Sequence, residues 1–164
     1  MLKTMQSGGQ LRNSATTEDG SSDSSQNENS ELTTLLLNLK GSKVSKNELR
    51  EQIFEALYDN ATEQPDVGKW YFFEYDPKFK DVLKRWDEYP LIKLLEIKSD
   101  RILGANIHYI SAKARLGALN KEEVPMSTLH YYIPKRADNL FFEVGEEDIA
   151  AMSQLPLEKF HRNR

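Results

Sequence analysis

Cysteine is absent from all 164 residues, which excludes disulfides, thiolate nucleophiles and Cys-ligated zinc. Long apolar runs are missing too. No stretch approaches the roughly 20 apolar residues of a membrane span, and the opening Met1-Leu2-Lys3-Thr4-Met5 lacks the apolar segment of a secretory signal. Glycine is sparse: Gly8-Gly9 lies in a polar N-terminal stretch and the others stand singly, so no Gly-rich loop cradles a phosphate. Only His108, His130 and His161 represent histidine, and none falls at metal-ligand spacing. No catalytic residue, metal or cofactor is assigned on this basis, and the chain is expected not to be an enzyme. Nor is there an excess of positive charge. Lys and Arg number 22 against 26 Asp and Glu, a net charge of −4, so any nucleic-acid contact must come from a local basic face acting within a Debye length of about 10 Å.

What the chain does contain divides it in three. Residues 1–29 are rich in Ser, Asn, Gln and Thr with almost nothing apolar, and read as a disordered tail. Residues 30–64 read as a helical segment and linker. Leucines recur at helical spacing behind Ser30, with Gly41 as a stop, and Ser45-Lys46-Asn47-Glu48 matches a capping box ahead of Leu49, Ile53, Phe54 and Leu57. The first of these helices reads either as a segment docked on its own domain or as a tethered partner-binding helix. Residues 69–164 read as the compact core, opening with the aromatic strand Lys69-Trp70-Tyr71-Phe72-Phe73-Glu74-Tyr75.

Further along, residues 81–89 read as a short helix or irregular loop carrying Trp86, and residues 91–97 and 102–110 as an antiparallel hairpin. Gly104 inside the second strand suggests a bulge or a close approach. A short helix follows Ser111, with Leu116 and Leu119 inward and Lys113 and Arg115 to solvent. Strands are expected near 129–133 and 139–144, then a final helix started by Glu146, Glu147 and Asp148 and ended by Pro156. His161 lies in a terminus expected to be mobile. Short strands interspersed with short helices, without βαβ spacing, define an α+β fold: a small antiparallel sheet or partly closed β-barrel with short flanking helices.

Chemistry is confined to a binding surface. Lys78, Lys80, Lys84 and Arg85 follow the aromatic strand, Lys113 and Arg115 lie on the short helix, and Lys135 and Arg136 occupy a later loop. Gathered together, such groups neutralise phosphates while Tyr or Trp rings stack on bases. His108 and His130, each beside a tyrosine, read as hydrogen-bonded packing residues.

Three blocks carry a resemblance: Tyr71-Phe72-Phe73-Glu74-Tyr75-Asp76-Pro77-Lys78, Leu83-Lys84-Arg85-Trp86-Asp87-Glu88-Tyr89-Pro90-Leu91, and Ile102-Leu103-Gly104-Ala105-Asn106-Ile107-His108-Tyr109-Ile110 leading to Arg115. From about Trp70 to the C-terminal end, with Leu155-Pro156-Leu157-Glu158-Lys159-Phe160, the pattern resembles the small DNA end protector proteins of T4-like tailed bacteriophages. Lys84-Arg85 and Ala105 depart from the residues usual there. The resemblance implies a non-enzymatic virion protein that binds and protects the ends of linear double-stranded phage DNA. It would travel in the virion, contact other virion proteins and no membrane, and enter the host cytoplasm. Lys78, Lys80, Lys84, Arg85, Lys113 and Arg115 are then the DNA-binding candidates, and Asn106, His108 and Tyr109 are assigned to architecture. The alternative is a structural virion component of baseplate, neck or head completion, acting through protein–protein contacts.

Overall fold

The computed structural model describes residues 30–39 and 41–163; the expected tail, residues 1–29, lies outside them. The aromatic run is the spine of the fold because it is buried on both sides. Trp70 and Phe72 of strand β2 (Trp70–Phe72) face one hydrophobic cluster, while Tyr71 and the following Phe73 face a second. On one side of β2 lies β7 (Phe141–Val144), which pairs in turn with the short β1 (Ala61–Thr62). On the other side come β4 (Leu91–Ile97), β5 (Ile102–Asn106) and β6 (Leu129–Tyr132). The result is a six-stranded sheet of order β1-β7-β2-β4-β5-β6 with every neighbour antiparallel.

The sheet is curled without closing. β2 and β6 stand three positions apart, about 14 Å in a flat sheet. Even so, an isolated bridge joins Pro77 to Pro134, flanked by Lys78 N–H donating to Ile133 O at 2.9 Å and Lys135 N–H to Asp76 O at 2.9 Å. Tyr71, Phe73, Tyr75, Ile92, Leu94 and Tyr132 cluster with this curl. Gly104 permits it locally: it faces Leu94 where the register slips between Leu94 and Glu96, and a Cβ there would meet Ile92 Cδ1 at 2.6 Å.

Helices cover the other face. Helices α1 (Ser30–Leu39) and α2 (Lys46–Ala56) send Leu32, Leu49 and Ile53 into one cluster with Trp70, Phe72, Leu91 and Val144. The first helix is thus docked on its own domain. The expected capping box is formed, with Glu48 N–H donating to Ser45 Oγ at 3.2 Å and Ser45 N–H to Glu48 Oε2 at 3.3 Å. Helices α3 (Ala112–Lys121) and α4 (Glu146–Ser153) complete the layer.

Two segments depart from expectation. Residues 81–89 are neither a helix nor a loop: a single 3₁₀ turn, Lys80–Val82, leads into strand β3 (Arg85–Asp87). The C-terminal segment around His161 is strand β8 (Phe160–Arg162), paired antiparallel with β3 as a separate two-stranded ribbon. Neither three-residue strand is long enough to show alternation, and each exists through pairing with a segment some 75 positions away. His161 is fixed there by stacking on Trp86, ring centroids 4.9 Å apart at 17°.

Candidate nucleic-acid interface

A polar network beneath the ribbon sets its position. Asp87 is wholly buried, and its Oδ1 accepts the Tyr89 N–H at 3.1 Å and the Lys159 N–H at 3.0 Å, so one carboxylate oxygen joins both sides of the ribbon base. Its Oδ2 lies 2.7 Å from His108 Nδ1 and accepts from Asn106 Nδ2 at 3.0 Å. Asn106 Oδ1 then accepts the N–H groups of Leu91 (3.3 Å) and His108 (3.0 Å). Burial pushes the Asp87 carboxyl up, but His108, Asn106 and the Lys159 N–H together outweigh it and hold it below the usual carboxylate range. The His108 and Asp87 side chains have no solvent exposure, so no substrate reaches this pair and its role is structural.

Arg115 belongs to the same scaffold and does not face solvent, contrary to expectation. Only 3% exposed, it donates through Nε to the carbonyls of Ile107 and Ile110 (3.0 Å each) and through Nη1 to that of Ser153 (2.7 Å). These carbonyls close a 3₁₀ turn and end a helix, where backbone acceptors need donors, and a guanidinium supplies several at once. Leu116, expected inward, is exposed in its place. Arg50 likewise clamps the C-terminal segment, with Nε to Leu157 O at 2.8 Å and Nη2 to Glu158 O at 3.0 Å.

Two groups of accessible cations stand near the aromatic strand and the ribbon. The first lines a groove of about 580 Å³ at the open end of the curled sheet: Lys78, Lys98, Arg101, Lys135 and Arg136, against the carboxylates of Glu63 and Asp100. Asp100 is occupied by Arg101, whose Nε and Nη2 donate to it at 3.1 and 3.0 Å; that pairing first, and Lys78 in addition, hold its carboxyl below the usual range. Exposed rings stand among these cations. Phe79 lies under Lys78 Nζ at 5.6 Å, and Tyr131 under Lys98 Nζ at 5.4 Å and the Arg101 guanidinium at 5.8 Å. Lys80 sits beside the groove, ion-paired to Asp76 at 2.6 Å.

The second group is on the ribbon, where Lys84 and Arg85 are exposed and Arg162 stands opposite Arg85. Residues 80–84 connect the two groups, pinned by Asn163 Nδ2 donating to the carbonyls of Lys80 (2.8 Å) and Leu83 (2.6 Å). Lys113 stands apart, exposed on the first turn of α3 in the helical layer. The six sequence candidates are therefore divided: Lys78 and Lys80 at the groove, Lys84 and Arg85 on the ribbon, Lys113 elsewhere and Arg115 buried. Sequence reasoning missed Lys98, Arg101, Tyr131, Phe79 and Arg162. The cationic β4–β5 turn was the available signal for the first two.

The family model for phage T4 terminal DNA protecting protein matches residues 33–126. The chain belongs to this family. The matched stretch takes in α1 from its fourth residue, α2, β1 to β5 and α3, so it begins well before the block of resemblance at Trp70 and stops short of the C-terminal strands. No curated protein and no solved structure matches the chain. For a terminal DNA protecting protein, the matched region includes Asp87, Asn106, His108 and Arg115 of the buried network, whereas their partners Lys159 and Ser153 lie beyond it. From the groove it includes Lys78, Lys98 and Arg101, whereas Tyr131, Lys135, Arg136 and Arg162 come from outside it.

Proposed function

We propose that this protein binds the ends of linear double-stranded phage DNA and protects them by occupancy, without chemistry. The carrying observation is the gathering of Lys78, Lys98, Arg101, Lys135 and Arg136 in one groove with exposed aromatic rings, in a chain of the terminal DNA protecting family. A net charge of −4 over the molecule does not prevent this, because cations packed within one groove act inside a Debye length. The lysines and arginines neutralise phosphates near the duplex terminus, and Tyr131 and Phe79 offer ring faces to bases that have lost a stacking neighbour. A nuclease then finds the end covered. In this reading the protein accompanies the DNA in the virion and into the host cytoplasm.

The test is binding of the full chain to blunt linear, circular and single-stranded DNA at two salt concentrations, with exonuclease protection measured in parallel. Preference for linear ends is expected. The double variant Lys78→Glu/Lys135→Glu should weaken binding and flatten the log–log salt dependence by about 1 for each phosphate the variant no longer neutralises. Unchanged salt dependence would remove the groove from the interface. The alternative, a structural virion component, draws on the exposed apolar side chains Leu37 on α1 and Met126 before β6; it gains if no DNA form binds in a salt-dependent manner.

A further inference from the structure

The β3–β8 ribbon contains an arrangement that costs stability by itself. Arg85 and Arg162 are cross-strand partners, a placement that brings Cβ atoms to about 5 Å and is destabilising for like charges. A carboxylate would ordinarily relieve it, yet among the described residues neither arginine forms an ion pair. The ribbon's acids are committed elsewhere. Glu88 pairs with Lys159 Nζ at 3.2 Å and lies 3.5 Å from His161 Nε2, and Asp87 is sealed against His108. Lys84, exposed next to Arg85, adds a third cation without an ion pair among the described residues.

Arg85 is nonetheless held in place. Its guanidinium carbon lies 3.8 Å from the centroid of Phe160 and 5.3 Å from that of Tyr109, and Tyr109 is stacked on His130 at 3.8 Å. Stacking fixes the guanidinium plane and leaves its in-plane N–H groups unspent. The base of the ribbon is also rigid, bound by the Asp87 carboxylate and by the buried Arg50 and Arg115 on the segment leading to β8. Two unpaired guanidinium groups on a fixed mount are suited to a small, highly charged anion with several acceptor oxygens.

We propose that Arg85 and Arg162 form a two-guanidinium clamp for a phosphate monoester, which on the end-protection reading, on which this rests, is the 5′-terminal phosphate of the DNA. A terminal monoester carries about −1.5 to −2 charges at pH 7 and three acceptor oxygens. An internal phosphodiester carries a single charge and occurs everywhere along the duplex. A clamp for the monoester therefore marks an end chemically, which the groove, by gripping phosphodiesters, does not do.

The experiment uses the full chain and two blunt duplexes of identical sequence, one with 5′-phosphates and one with 5′-hydroxyls. Wild type should bind the phosphorylated duplex tighter by roughly tenfold or more, the effect of charge-assisted hydrogen bonds to one group. Arg162→Gln, an exposed change whose folding is checked by its thermal melt, should bind the two duplexes with equal affinity, so that the preference disappears. Arg162→Lys, which keeps the charge without the fork, should recover only part of the preference. Lys78→Glu should weaken both duplexes by the same factor and keep the ratio. Inorganic phosphate should compete away the preference for the phosphorylated duplex in wild type. Equal binding of the two duplexes by wild type, whether tight or below detection, overturns the clamp, as does a preference that survives Arg162→Gln. Failure of the end-protection reading looks different: a preference for the phosphorylated duplex with no protection from exonuclease retains the clamp and removes the function.

Discussion

Asp87 shows how one side chain sets the position of a surface it does not reach. Fully buried, it receives N–H groups from both sides of the ribbon base as well as Asn106 and His108, so losing its charge unfastens four partners at once. Asp87→Asn is expected to cost about 3–5 kcal/mol, the penalty for breaking a buried charged network from one side, measurable as a lowered denaturant midpoint with an unchanged slope. The pH dependence follows from the depressed folded value. The unfolded carboxyl binds its proton near 3.8 and the folded one only below that, so the stabilisation is complete above this pH and is lost as pH falls through the folded value. The wild type should therefore lose stability steeply at acid pH, and Asp87→Asn should lack that component.

Among the elements, the ribbon exchanges stability for a charged surface. Strands of three residues contribute few backbone bonds, and the Arg85–Arg162 pair opposes their association. Without DNA or phosphate, Arg162→Gln should stabilise the protein by about 0.2–1 kcal/mol, read as a higher melting temperature. A drop instead would mean that Arg162 has a structural role, and the like-charge argument would fail. Helix α3 makes the complementary point. Its sequence places Arg115 where a solvent-facing cation is the ordinary expectation, and it is the unsatisfied carbonyls of the preceding 3₁₀ turn that draw the guanidinium inward.

Over the whole molecule, the N-terminal helices are part of the core. Leu32, Leu49, Ile53 and Leu57 share one cluster with Trp70, Phe72 and Leu91, so a fragment starting at residue 69 would expose the aromatic face of the sheet. Such a fragment is expected to aggregate or to lose cooperative unfolding, checked by thermal melting against a chain starting at residue 30; DNA-binding experiments accordingly need the helices present. The charge distribution operates at the same scale. An acidic molecule gathers five cations in one groove.

The sequence by itself determined whatever depends on local order. The capping box at Ser45–Glu48 follows from spacing, as does the hairpin of β4 and β5. The aromatic run at β2 declared a buried strand because large aromatic side chains favour strands and a strand covered on both faces reads as a continuous apolar run. The family pattern too was legible, since its motifs are local in sequence. Only the tertiary structure decided which cations share a surface. Lys78, Lys98 and Lys135 come together because the sheet curls until residues 77 and 134 meet, and Arg162 faces Arg85 because two segments too short to announce themselves pair across the chain. Both depend on long-range pairing, which composition and periodicity do not encode locally. Arg115 was misplaced for the same reason: what buries a charged side chain is a set of carbonyls fixed only after the chain has folded.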